Sequence, residues 1–325
     1  METVIILSES DDIHALAVKK EVEKNKNVAC QIVNTADFPS KLSLSNYLNF
    51  DDTTHEMVFD DSRLSTIEFK DIIGVWRRRI FNHKISEELD QEIYQEVSRR
   101  DTRASLDGFL LTLALKGCNV INNPTQENAS LNKTFQLFIA QRCGICVPRT
   151  VISNNPPIVK KFYSSISNNA GKVVYKAFHS PKNSVITTNF LTEADFDRLD
   201  DLRFAPAIFQ EYIDGRNLRI TYINGDIFSA EVFVNIPEAT RDWRLEMFNK
   251  IVEYELQPKD KFAITSLMKA LKLEYGAIDF KINKNNELVF LEVNPWGQFL
   301  FVEIQTGLPI SKAIADALIS KHNKH

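Results

Sequence analysis

Two apolar, strand-forming runs, residues 276–282 and 287–294, flank the polar stretch Asn283-Lys284-Asn285-Asn286 and read as a β-hairpin near the end of the chain. Leu288, Val289, Phe290, Leu291 and Val293 make the second run apolar enough to lie buried in a sheet, yet the same run carries Glu292 and Asn294. Side chains alternate faces along a strand, so Glu292 and Asn294 share one face. With a symmetric turn, Ile282 pairs with Glu287 and Asp279 lies opposite Phe290. That register puts Asp279 on the same face, diagonal to Glu292 at roughly 7–8 Å. A polar side chain on a buried strand needs a partner. Asp279 alone is equally well explained by a wet sheet edge or by a neighbouring Arg or Lys. The triad together fits a hard divalent cation such as Mg²⁺, which takes oxygen ligands and bridges carboxylates to nucleotide phosphates.

Candidate cations accompany this face. Arg219 begins a strand, Leu218-Arg219-Ile220, and is expected to clamp a phosphate. Lys133 on a helix and Lys176 on a strand are further candidate phosphate ligands, although a lone lysine is most simply a solvated surface charge.

The chain has 325 residues, which predicts two or three domains and enough length for a sizeable core. Its net charge of −4 argues against nucleic acid as a partner, because phosphate-neutralising surfaces are basic. The absence of a run of about 18 apolar residues argues against a membrane span. The N-terminal run Val4-Ile5-Ile6-Leu7 is too short, and lacks the basic flank, for a signal peptide. Four cysteines do not make a disulfide framework, so the cytoplasm is the expected compartment. Cys143-Gly144-Ile145-Cys146 has CxxC spacing but no second pair or nearby histidine, and reads as buried thiols.

Strands and helices alternate through the first third: strands at 3–7, 30–33, 72–76 and 118–121, and helices from Ser8–Asp12 to about residue 24 and over 86–116. Residues 55–59 and 63–69 suggest a hairpin. One helix is expected over 125–143, closed by Gly144. Strands follow at 147–152, 172–178 and 207–213, with an acidic helix over 191–202. Asn224-Gly225 between two apolar runs is a strong two-residue hairpin signal. Helices over 261–271 and 310–320 complete the reading.

The ordered set Asn132-Lys133, Lys176 in Val173-Val174-Tyr175-Lys176, Phe209-Gln210-Glu211-Tyr212-Ile213, Leu218-Arg219-Ile220, Ala277-Ile278-Asp279-Phe280 and Leu291-Glu292-Val293-Asn294-Pro295 resembles the ATP-grasp superfamily. Val75-Trp76-Arg77-Arg78-Arg79, Asp242-Trp243-Arg244 and the total length resemble its microviridin-type peptide macrocyclases, the graspetide synthetases. The resemblance implies a three-domain α/β (α+β) fold: an N-terminal parallel α/β pre-ATP-grasp domain over 1–121, a small central domain over 122–208 and a C-terminal antiparallel-sheet domain over 209–325.

It also implies that ATP lies between the last two domains. Lys133 and Lys176 would touch phosphates, Gln210, Glu211, Tyr212 and Ile213 would read adenine, and Asp214 would contact the ribose. Asp279, Glu292 and Asn294 would hold Mg²⁺, with Arg219 steadying the transferred phosphoryl group. The partner it implies is a precursor peptide. Arg219, Arg244, Arg77 and Arg78 would meet its core, and Asp195 and Arg198 would meet its leader. The resemblance also suggests a homodimer. The family's glycine-rich phosphate lid has no counterpart in residues 177–184, which contain no glycine.

The activity implied is ligation. A Glu or Asp side chain of the peptide is activated as an acyl phosphate and joined to Ser or Thr as an ester, the favoured product, or to Lys as an amide. An amino-acid ligase acting on a peptide or protein tail, a kinase on the same scaffold and a non-catalytic ATP-binding module are the alternatives.

Overall fold

The computed structural model describes residues 1–46, 55–57, 67–80, 84–178, 188–235 and 250–320. The N-terminal sheet is parallel, in the order β2-β1-β6-β7, from β1 (Glu2–Leu7), β2 (Val28–Val33), β6 (Ile72–Trp76) and β7 (Asn119–Ile121). Its strands are apolar on both faces, as a doubly covered parallel sheet requires. On β1, Val4 and Ile6 join one core, whereas Ile5 and Leu7 join another under α2 (Glu92–Leu115). A small antiparallel sheet of β3 (Ser45–Asn46), β4 (His55–Met57) and β5 (Ile67–Glu68) lies beside it.

α1 (Ile13–Val22) covers the first face together with the chain's last described helix, α8 (Ile310–Ile319). The approach of α8 requires Gly74 on β6, where a Cβ would lie 2.4 Å from the Leu318 carbonyl oxygen. Asn119 Nδ2 donates to the carbonyls of Leu318 and Ser320 at 3.1 and 2.7 Å. The two ends of the chain therefore share one core.

A single helix over 125–143 does not form. α3 (Pro124–Ser130) stops, and Asn132 caps a new helix, α4 (Lys133–Arg142), by accepting the Phe135 amide at 3.0 Å. The central sheet is antiparallel, in the order β10-β9-β11-β8, from β8 (Thr150–Ser153), β9 (Val173–Lys176), β10 (Asn189–Leu191) and β11 (Ala207–Glu211). α5 (Pro156–Ser167) and a 3-10 segment, Glu193–Arg203, cover it where an acidic helix was expected. The expected boundary between residues 208 and 209 falls inside β11.

The C-terminal sheet is antiparallel, in the order β14-β13-β12-β15-β16, from β12 (Gly215–Ile223), β13 (Asp226–Val232), β14 (Ile251–Glu253), β15 (Tyr275–Asn283) and β16 (Leu288–Asn294). Asn224 and Gly225 both take positive φ, 47° and 106°, and close the β12–β13 turn as expected. One face of this sheet, with Leu218, Ile220, Ile278, Phe280 and Phe290, packs on α6 (Pro258–Leu271) and on Ala140 of α4. α7 (Leu300–Thr306) leads into α8. No helix among the described residues is long and apolar enough to cross a membrane.

Candidate functional site

The β15–β16 register differs from the symmetric reading. Ile282 pairs with Leu288, so the loop is Lys284-Asn285-Asn286, with Asn286 at φ 58°. Phe280 pairs with Phe290, and a bulge then makes Asp279 face Glu292 directly instead of diagonally. Arg219 pairs with Asp279 on the other side. Three side chains thus form one row across β12, β15 and β16 on the face away from α6.

Arg219 Nη1 donates to both Asp279 carboxylate oxygens at 2.9 and 3.0 Å, and its Nη2 donates to the Gln298 carbonyl at 2.9 Å. Side-chain exposure rises along the row, from 7% at Arg219 to 17% at Asp279 and 24% at Glu292. The row therefore runs from a buried cation to an open carboxylate.

The outer edge of β16 is closed by the middle of the chain. The Cys146 carbonyl accepts the Phe290 amide at 2.9 Å. The buried Gln136 of α4 clasps Val293, donating from Nε2 to its carbonyl at 2.8 Å and accepting its amide at Oε1 at 2.9 Å. Residues three apart share a helix face, so the clasp that seats Gln136 also delivers Lys133 to this strand. Lys133 Nζ lies 3.1 Å from Glu292 Oε2.

Asn294 is exposed at the end of β16, and its Oδ1 accepts the Trp296 amide at 2.9 Å. That bond orients the amide oxygen and leaves it a second lone pair. Gly297 follows closely. A Cβ there would stand 2.1 Å from the Ala277 Cβ and 2.9 Å from Arg219 Nη2.

Among the described residues no group of three or more His, Cys, Asp and Glu forms a self-sufficient metal cage. Two carboxylates and an oriented amide oxygen on a half-open face suit a cation that completes its shell with phosphate oxygens and water, as Mg²⁺ does. The residues fit that ion.

β11 runs into β12 through residues 212–214, which join the central and C-terminal sheets. Gln210 is buried and donates to Thr150 Oγ1 at 3.0 Å, and Glu211 accepts Arg149 at 2.9 and 3.2 Å. The amides of Glu211 and Tyr212 donate to the carbonyls of Arg149 and Lys172, both at 2.8 Å. Lys176 ends β9 opposite Ile208.

Residues 3–128 match the family model of the MvdD pre-ATP-grasp domain. The fold matches the macrocyclase MdnC of Microcystis aeruginosa bound with its precursor peptide MdnA, at 28% identity and a TM-score of 0.84, over 98% of this chain and 100% of that one. It matches a Chryseobacterium gregarium RiPP-associated ATP-grasp ligase in complex with ADP and leader and core peptides at 28% identity and a TM-score of 0.85, over 98% and 96%. No curated protein matches the chain in sequence. The chain is an ATP-dependent ligase of the ATP-grasp fold, similar to the graspetide synthetases. The macrocyclase MdnB of Microcystis aeruginosa is similar at 26% identity and a TM-score of 0.80, over 98% and 99%.

Two expected peptide contacts of the ligase lie elsewhere. The Arg77 side chain is fully buried, with Nη2 2.9 Å from the equally buried Glu127 and Nη1 3.2 Å from Asp107. Arg78 is 1% exposed, with Nε 3.4 Å from Asp12 and Nη1 donating to the Trp296 carbonyl at 2.7 Å. Neither guanidinium faces solvent, because each is consumed by joining the N-terminal unit to its neighbours. Burial pushes the Asp12 carboxyl up, but contacts with His14, Arg78 and Ser8 outweigh it and hold the group well below the ordinary range.

Asp195 of the ligase folds back as a capping box: its Oδ2 accepts the Thr192 amide at 2.8 Å and the Thr192 hydroxyl at 2.7 Å, which lowers its pKa. Arg198 is exposed on the same segment. Arg244 and residues 179–184 of the expected lid lie outside the described residues. The cysteines are free, but Cys146 is exposed and Cys143 half-buried, so the expectation of buried thiols fails there. Both flank the turn that brings the chain to the edge of β16.

Sequence reasoning passed over Asn122, Gln136, Tyr275 and Lys281. The first three are polar groups committed to backbone partners, a role without a sequence motif. Lys281 shares the face of Asp279, is buried, and donates to the Gly215 carbonyl at 3.3 Å. Desolvation lowers its pKa to about 8, against the opposing charge of Asp214.

Proposed function

We propose that this ligase activates Asp or Glu side-chain carboxylates of a ribosomal precursor peptide and joins them to Ser or Thr hydroxyls, or to Lys amines, to close macrocycles. The Arg219–Asp279–Glu292 row, with Lys133 beside it, carries this reading. It sets two carboxylates for a metal–nucleotide next to two cations for the phosphates. The likeness to a macrocyclase bound with its precursor peptide, and to a RiPP-associated ATP-grasp ligase in complex with ADP and leader and core peptides, supports a peptide acceptor.

In the proposed reaction a carboxylate oxygen attacks the γ-phosphorus of ATP and ADP departs. The hydroxyl or amine then attacks the acyl carbon, loses its proton, and phosphate leaves. Like charges must approach in the first step, so cationic guides are required. Arg219 steadies the transferred phosphoryl group, Arg244 receives the incoming carboxylate, and Lys133 and Lys176 hold phosphates. Gln210 to Ile213 border the adenine, and Asp214 meets the ribose. Asp279, Glu292 and Asn294 hold Mg²⁺, which when bound neutralises phosphate charge. Asp195 and Arg198 dock the leader. Esters are the favoured product, and the cytoplasm, where ATP is supplied, is the proposed compartment.

Mass spectrometry of the short peptide encoded beside the gene, after incubation with the ligase, ATP and Mg²⁺, tests this. Loss of one water per linkage is expected. A gain of an amino acid or of phosphate, or no ATP turnover, would contradict it.

A further inference from the structure

After Asn294 the chain makes a short loop whose carbonyls are taken up one by one by side chains from elsewhere. Pro295 O accepts Asn122 Nδ2 at 3.4 Å, Trp296 O accepts Arg78 Nη1 at 2.7 Å, Gly297 O accepts the Tyr275 hydroxyl at 2.6 Å, and Gln298 O accepts Arg219 Nη2 at 2.9 Å. Asn122, Arg78, Tyr275 and Arg219 are all buried. A loop with free carbonyls needs no such set, and burying four polar side chains is costly unless each finds its partner. The donors come from three regions of the chain: the N-terminal unit, its exit at Asn122, and the C-terminal sheet.

The loop in turn controls two groups of the metal face. The Trp296 amide sets Asn294 Oδ1, and the Gly297 amide donates to the Asn294 carbonyl at 3.1 Å. The Gln298 carbonyl fixes one arm of Arg219, whose other arm holds Asp279.

We propose that Arg78 and Tyr275 are positioning residues of the metal–nucleotide site, acting through the Trp296 and Gly297 carbonyls to hold Asn294 and Arg219 in place. Arg78 is itself braced by Asp12, at the N-terminus of α1. Arg78 thus serves the reaction from behind the site, not by touching the peptide. The inference rests on the nucleotide site proposed above.

The test measures Mn²⁺ affinity of the ADP-loaded protein by electron paramagnetic resonance, and ADP affinity without metal by calorimetry. Tyr275→Phe removes only the hydroxyl and keeps the ring that packs edge-on to Trp76 at 6.1 Å. Arg78→Lys keeps the charge beside Asp12 and gives up the guanidinium fork. Each is expected to weaken Mn²⁺ binding by about tenfold or more while metal-free ADP binding stays within about twofold, the behaviour of partners that orient metal ligands. Backbone amides of residues 295–298 should exchange faster with solvent deuterium in both variants. Unchanged Mn²⁺ affinity in both, or an equal loss of metal-free ADP affinity, overturns the positioning role. A wild-type protein that binds neither ADP nor Mn²⁺ overturns the nucleotide site beneath it.

Discussion

Asp279 and Glu292 face each other across β15 and β16 because Leu291 is an extra residue in the second strand. Without the bulge, the observed turn would set Leu291 opposite Asp279 and move Glu292 to the other face, since a one-residue slip exchanges faces. The bulge is therefore what puts both carboxylates on one surface.

Glu292→Gln separates chemistry from stability at this site. Glu292 and Lys133 are each about a quarter exposed, at 24% and 26%. A pair so open contributes about 0–1 kcal/mol. The variant is expected to melt near the wild-type temperature and to lose turnover by about a hundredfold or more, the scale of a lost preorganised charge contact. Coupled ADP-release kinetics and a thermal melt check this. Full turnover would remove Glu292 from the site.

Arg77 is expected to matter for folding. Its partner Glu127 is fully buried, and burial pushes that carboxyl up while Arg77 opposes the shift. Arg77→Met leaves the carboxyl without its cation and should cost about 3–5 kcal/mol in urea unfolding. A raised KM for peptide with unchanged stability would instead return Arg77 to the peptide site.

Lys281 gives the ligase a pH signature. Its folded pKa is about 8, below the ordinary 10.5. Between these values the unfolded chain binds the proton and the folded chain does not, so this group makes stability rise as pH increases from about 8 to 10.5. Below about 8 the charged amine weighs against the fold. Lys281→Met is expected to stabilise the protein at pH 7 and to flatten the rise above pH 8, read from urea midpoints. An unaltered pH profile would contradict the assignment.

The leader docking proposed for Asp195 has to be separated from a second role, because the carboxylate also caps its own segment. Thr192→Ala weakens the cap, at about 1 kcal/mol, and keeps the charge. Asp195→Ala removes both. If the charge docks the leader, only Asp195→Ala weakens precursor binding by titration, and ATP affinity holds in both. Equal losses would assign the effect to the cap.

Much of the site face was legible because alternation along a strand is a local rule. Even so, Glu292 shares the face of Asp279 only because two one-residue slips add up: the turn is one residue shorter than the symmetric reading, the bulge moves the register one residue further, and a two-residue shift restores the face while setting Glu292 opposite Asp279. Neither has a marker in the sequence. Lys133 was legible as a cation but not as a neighbour of Glu292, since the clasp of Gln136 on Val293 spans distant parts of the chain. Asn132 could have marked the break between α3 and α4, being a good cap inside an apparently continuous helix. Arg77 and Arg78 misled because arginine at a strand end looks solvated until the buried acids Asp12 and Glu127 are brought against it by tertiary packing.

A crystal structure with ADP and Mn²⁺, read by the anomalous signal of the metal, tests the central claim most directly. The account predicts a metal peak bound by Asp279, Glu292 and Asn294, with nucleotide phosphates completing its shell. A peak elsewhere, with Asp279 still closed on Arg219 and Glu292 on Lys133, would contradict it.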